Sequence, residues 1–179
     1  ISRSVFLSWL GMAVGTTAFG TWLYGFSNKY NYRIKRKKLH FDNLPAAFRG
    51  MKIVFISDIH AGSFTNKEQV NHGVDMILNE KPDIIMFGGD LVNDMALEMD
   101  DYKDVFSRLK APMGVFSVFG NHDYGEYVRW PNHGITKAQS LLNLEKVHAE
   151  RGWTLLRNRH VIIEKDGDRI PIIGVENWS

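Results

Sequence analysis

The hydrophobic pattern divides the chain into three. From Val5 to Phe26 there is no charged residue for 22 positions, a length that spans a bilayer with some tilt. Gly11, Gly15, Gly20, Gly25, Ser8, Thr16 and Thr17 dilute its apolarity, while Trp9, Trp22 and Tyr24 stand near its ends, where interfacial aromatics concentrate. Four glycines make a poor helix in water, so residues 1–28 are expected to be a membrane-spanning or signal-anchor segment. Residues 29–50 follow as a basic juxtamembrane linker, with six positive charges between Lys29 and Lys38 that suit anionic headgroups.

From Met51 the pattern becomes that of an α/β fold. Lys52–Ser57, Ile84–Phe87 and Val115–Phe119 are short apolar runs of the kind buried in parallel sheets. Between them lie helical stripes. Asn66 caps the first, with Gln69 at the capping-box position and Val70, Val74, Ile77 and Leu78 on its apolar face; Tyr102, Val105, Phe106 and Leu109 mark the second. Thr136 with Gln139 starts a third helix that ends at Gly152. Thr154–Leu156, Val161–Ile163 and Ile170–Val175 read as further strands, the last two joined by an Asp166-Gly167 hairpin turn.

Composition narrows the class. The 179 residues are 44% hydrophobic and 23% charged, enough for one ordinary globular domain. There is no cysteine, which excludes disulfides and thiolate metal sites. Of the 22 basic residues, seven lie in residues 1–38 with no acidic partner, so residues 39–179 hold 15 basic against 20 acidic groups. A nucleic-acid-binding domain carries its positive charge on the folded body; here the body is acidic, and no nucleic-acid partner is expected. The start at Ile1 and the stop at Ser179, just after an apolar strand, lead to the expectation of a piece of a longer protein.

The chemistry is concentrated at three strand ends. The first strand runs into Asp58-Ile-His60, the second into Gly89-Asp90-Leu-Val-Asn93, the third into Gly120-Asn121-His122-Asp123. Parallel strands point the same way, so the three clusters share the carboxyl edge of the sheet, where open α/β folds bind ligands. Carboxylate, imidazole and amide oxygen together suit divalent ions such as Mn, Fe, Zn or Co. Asp58 and His60 are two apart, so on extended backbone their side chains point the same way and can grip one ion. Asp90 has two oxygens with which to bridge two ions, and Asn121 offers a neutral one. Gly88, Gly89 and Gly120 suit close backbone approach or positive φ. Each cluster alone is commonplace; three in order, each on its own strand end, indicate a site.

These three motifs resemble those of the calcineurin-like metallophosphoesterases, and the stretch Ile56–Ser63 is similar to a membrane-linked bacterial branch of that superfamily. The resemblance covers residues 40–179. It implies a two-sheet sandwich flanked by helices, of which residues 51–179 form the N-terminal portion, and a centre of two divalent metal ions. Phosphoester hydrolysis by a two-metal-activated hydroxide is the implied reaction. By motif position Asp58 and His60 bind one ion, Asp90 bridges both and Asn121 binds the second. His122 stabilises or protonates the leaving group, and Asp123 orients His122. The superfamily pattern also includes a downstream Gly-His-x-His segment, absent here and expected beyond Ser179. His40, His72, His133, His148 and His160 are expected to be structural or exposed.

The expected protein is thus a membrane-anchored bacterial phosphoesterase acting on a phosphate ester, lipid-linked or of the cell envelope. The positive-inside rule places the catalytic part in the cytoplasm, whereas Ser2–Leu7 resembles a degraded twin-arginine export signal and points to the opposite face. Two other readings stand beside this one: a non-catalytic protein-interaction module on the same scaffold, and a nuclease-type phosphodiesterase. A nucleotide-binding protein is disfavoured, because no strand is followed by a glycine-rich phosphate loop.

Overall fold

The structure, a computed structural model, describes residues 2–130 and 133–177. Ile1, at the start of the expected anchor, Pro131 and Asn132, and Trp178 and Ser179, at the end of the expected catalytic portion, lie outside the described residues. The chain forms two compact units, Ile1–Arg36 and Lys37–Ser179.

The first unit contains helix α1, Arg3–Ser27, whose first turn is capped by the Ser2 side chain accepting from the Val5 N–H. Thr17 and Thr21 turn their hydroxyls back onto the carbonyls of Ala13 and Thr17. The expectation of a membrane-spanning segment over residues 1–28 is corrected here. The helix has the length, but its glycines, serines and threonines lower its apolarity, and no helix among the described residues is long and apolar enough to cross a membrane.

The second unit is built on a parallel sheet of β1 (Ile53–Ile56), β2 (Ile84–Phe87), β3 (Val115–Ser117) and β4 (Thr154–Leu155), in that order. Helices α2 (Lys67–Asn79), α3 (Lys103–Phe106) and α4 (Lys137–Glu150) supply the crossovers. Asn66 and Thr136 cap α2 and α4 as their spacing predicts, each accepting from the N–H three residues on. The second helical stripe is shorter than its pattern suggests: Ala96–Tyr102 winds as a 3₁₀ helix and only four residues continue as α3.

Alternation along the strands separates two cores. Ile85, Phe87 and Val115 join Val70, Val74, Leu144 and Val147 under the helices. Ile84 and Phe116 point to the other face, where Ile163 and Ile172 of the hairpin β5 (Arg159–Lys165) and β6 (Asp168–Gly174) cover them with Phe48 and Leu156. The hairpin turns at Asp166-Gly167, both at positive φ, as a type I′ turn requires. The fold is therefore α/β with a parallel sheet flanked by helices. Of the expected sandwich, the described residues show a four-stranded sheet faced by a two-stranded one. A second correction concerns β1, expected as a buried strand: it is the edge of its sheet, and Phe55 is 66% exposed.

His148 sits at the centre of the helix-side core at 0% exposure, its Nδ1 2.9 Å from Ser117 Oγ and its ring among Phe87, Phe119 and Trp153. Its Nε2 has no hydrogen-bond partner among the described residues. Burial, and secondarily the Arg151 charge, push its pKa down to about 3. The folded state thus refuses a proton that the unfolded chain accepts near pH 6.5. The associated stability is fully present above pH 6.5 and is lost as pH falls toward about 3. Unfolding free energies from urea titrations across that range are expected to decline less steeply for His148→Leu than for the wild type, by up to ~1.4 kcal/mol per pH unit.

Candidate metal centre

The loops after β1 and β2 run side by side beyond the strands. The N–H groups of Asp58, His60 and Ala61 donate to the carbonyls of Gly89, Asp90 and Leu91, each at 3.0 Å. The loop after β3 joins them through side chains. Asp123, 4% exposed, accepts from the N–H groups of Asp90 (2.7 Å), Leu91 (2.8 Å), Val92 (3.3 Å) and Gly120 (2.9 Å), and Asp90 Oδ1 accepts from the His122 N–H at 2.9 Å. Side chains are impossible where these backbones meet. A Cβ on Gly89, which has φ +100°, would lie 2.2 Å from Gly120 N, and one on Gly120 would lie 2.2 Å from Asp90 Oδ1.

Asp58, His60 and Asp90 all adopt positive φ, at 55°, 49° and 56°. This corrects the expectation that Asp58 and His60 lie on extended backbone with side chains in parallel. Such conformations cost roughly 1–3 kcal/mol each and persist only where the surroundings impose them, here through the ladder of backbone bonds between the two loops.

The result is a convergent donor set. Ligand atoms of His60, Asp90 and His122 lie within 4.8 Å of one another. His60 Nε2 is 4.0 Å from Asp90 Oδ2, and the two imidazoles meet edge to face at 4.7 Å between centroids. Asn93 sets the free nitrogen of both rings. Its side-chain oxygen lies 3.1 Å from His60 Nδ1 and its carbonyl 2.7 Å from His122 Nδ1, so each ring donates from Nδ1 and keeps Nε2 for the centre. Two imidazole nitrogens and a carboxylate fit a borderline divalent cation.

The predicted residues are placed as follows. His60 and Asp90 belong to the convergent set, and His122 joins them. Asp58 is exposed on the same loop, outside that set but hydrogen-bonded through its N–H beside Asp90. Asn121 directs its Nδ2 to the Tyr127 hydroxyl at 3.0 Å. Asp123 departs from its expected role: its four bonds go to backbone, and the group that orients His122 is the Asn93 carbonyl. The reason is burial. Desolvation raises the Asp123 pKa to about 6 against the pull of its four N–H donors, so near neutral pH it is a carboxylate committed to the loops. Of the remaining histidines, His148 is in the core and His40, His72, His133 and His160 are exposed.

A family profile described as calcineurin-like phosphoesterase matches residues 51–177. The chain belongs to this family. The uncharacterized metallophosphoesterase YkoQ of Bacillus subtilis (strain 168) is 29% identical over 141 residues, covering 77% of this chain and 47% of that protein. The phosphodiesterase YaeI of Escherichia coli (strain K12) is 30% identical over 124 residues, covering 69% and 45%. The UDP-2,3-diacylglucosamine pyrophosphatase LpxG of Chlamydia trachomatis is 36% identical over 105 residues, covering 56% and 32%. The matched region thus spans half or less of the length of each of these relatives.

Two supports of this calcineurin-like centre escaped the sequence reading. Asn93 stands in the second motif, and its two oxygens serve the two rings. Glu98 lies outside all three motifs. Its Oε2 accepts from the N–H groups of Gly62 (3.0 Å) and Asn93 (2.6 Å), and its Oε1 from those of Asp94 and Met95, both 2.9 Å. It thereby ties the loop carrying His60 to the loop carrying Asp90 and Asn93. A Cβ on Gly62 would lie 2.4 Å from Glu98 Oε2, so the glycine is part of the same tie. The available signal was a glutamate three residues into a helical start, where its side chain satisfies free N–H groups. Glu98→Gln removes the charge and turns an amide N–H₂ toward backbone donors. It is expected to lower unfolding free energy by about 1–3 kcal/mol, read from urea midpoints.

Proposed function

We propose that this chain carries the N-terminal portion, residues 51–179, of a metal-dependent phosphoester hydrolase with a centre for two divalent ions. The observation that carries the reading is the convergence of His60, Asp90 and His122, donors from three separate loops, within 4.8 Å. His60 Nε2 and Asp90 would hold metal, with Asp58 and Asn121 beside them on the same loops. Divalent ions bound there supply Lewis acidity toward phosphate oxygens and acidify water near neutral pH.

The chain's own residues do the rest. With Nδ1 donating to the Asn93 carbonyl, His122 presents Nε2 toward the centre; as imidazolium, protonated at both ring nitrogens, it does not ligate metal and can hand the Nε2 proton to the departing oxygen while keeping the Nδ1–H on Asn93. Asp123 keeps the Asp90 and Asn121 loops at fixed distance, as Glu98 does for the His60 and Asp90 loops. Positioning on strand ends suits chemistry that depends on preorganised charge.

The substrate class follows from charge and surroundings. An acidic body disfavours a long polyanion. The exposed basic run Lys29–Lys38 is proposed to rest on anionic headgroups and to keep the linked domain at a lipid surface. A lipid-linked or cell-envelope phosphate ester is therefore favoured, and the relative named as a UDP-2,3-diacylglucosamine pyrophosphatase supports that class.

The test is Mn²⁺-dependent hydrolysis of p-nitrophenyl phosphate, bis-p-nitrophenyl phosphate and UDP-2,3-diacylglucosamine by the full-length protein. Activity is expected to disappear on chelation, return with Mn²⁺, and fall by at least ~10²-fold in Asp90→Ala. Hydrolysis that survives either treatment overturns the proposal.

A further inference from the structure

We propose that Tyr127 is a positioning residue of the metal centre, fixing which end of the Asn121 carboxamide faces the ions and bracing the ring of His122. The inference rests on the phosphoesterase reading above and adds to it a residue outside the three motifs.

An asparagine side chain has two ends of nearly equal shape, an oxygen that can ligate a cation and an N–H₂ that cannot. Something must choose between them. The Asn121 Nδ2 donates to the Tyr127 hydroxyl at 3.0 Å, and the carboxamide has no other hydrogen-bond partner among the described residues. With the N–H₂ end held by Tyr127, Oδ1 is the end left for a cation. The same aromatic ring lies 4.8 Å from the His122 imidazole, centroid to centroid, tilted by 37°, on a different contact from the one His122 makes with His60. Tyr127 thus touches two adjacent site residues through two different parts of its side chain.

The loop that carries it is built to hold it there. Gly125 turns at φ +62°, and a Cβ on it would lie 2.5 Å from the Trp130 ring. The Trp130 Nε1–H returns to the Gly125 carbonyl at 2.9 Å. Glu126 pairs with Lys137 at the start of α4, and the Tyr124 hydroxyl donates to Glu176 at 3.0 Å. Yet Tyr127 itself is 64% exposed. An exposed tyrosine whose neighbours are so tied contributes little to the core; its contacts are spent on the site.

The experiment compares wild type, Tyr127→Phe and Tyr127→Leu in the full-length protein, reading Mn²⁺ binding by titration calorimetry, thermal midpoint, and kcat and KM for bis-p-nitrophenyl phosphate. Tyr127→Phe keeps the ring and frees the amide. It is expected to weaken Mn²⁺ at one of two sites by about tenfold and to lower kcat, with KM and the thermal midpoint of the metal-free protein unchanged. Tyr127→Leu also removes the brace and is expected to lower kcat further at the same KM. Wild-type Mn²⁺ affinity in Tyr127→Phe overturns the amide clamp, and equal kcat in the two variants overturns the brace. If wild type binds Mn²⁺ but hydrolyses nothing, the phosphoesterase reading fails while the clamp is still decided by the binding comparison. If wild type binds no Mn²⁺, both fall.

Discussion

The carboxylate of Asp123 and the four backbone N–H groups it accepts are the interaction on which the rest of the centre depends. Three of those donors belong to the loop after β2 and one to the loop after β3. None of these donors is exchanged between strands, because the chain leaves the sheet at this point. Left without a buried acceptor, each would cost about 1–3 kcal/mol. Asp123, with the Asp90 Oδ1 that accepts from the His122 N–H beside it, therefore holds two neighbouring loops in a common geometry. Glycine at 89 and 120 is what lets the loops come close enough for a single side chain to reach both.

Around this knot the site is assembled in layers. Glu98 joins the β1 and β2 loops from the solvent side, as Asp123 joins the β2 and β3 loops from within. Asn93, held by Glu98, orients both imidazoles. The histidines contribute little to their own placement. Their rings are set by an amide oxygen and a backbone carbonyl whose positions were fixed by two acidic residues. Such indirect support is characteristic of metal sites, where the partners of the ligands matter nearly as much as the ligands.

Much of this was legible in the sequence, for identifiable reasons. Ile84–Phe87, bounded by Asp83 and Gly88, could only be a short buried strand, and the structure gives it those limits. The caps at Asn66 and Thr136 were readable because they act over three residues. The convergence of three strand ends followed from parallel topology alone. What could not be read depends on contacts between distant residues. Glu98 reaches Gly62 across 36 positions, and nothing local marks that meeting. Asp123 has the motif position that implies a partnership with His122, but burial redirects its carboxylate to the backbone. The Val5–Phe26 stretch differs: its absence of charge suggests a span, whereas its glycine and hydroxyl content leaves the helix less apolar than a spanning one.

The left-handed backbone at Asp58, His60 and Asp90 carries a consequence for how this protein tolerates change. Glycine or asparagine at those positions would relax the chain, so the replacements most favourable to folding are among those least compatible with a donor set of carboxylate and imidazole. Selection for heat resistance alone would relax such positions, at Lys81 as at this edge of the sheet, but only here would the gain in stability remove the converging donors.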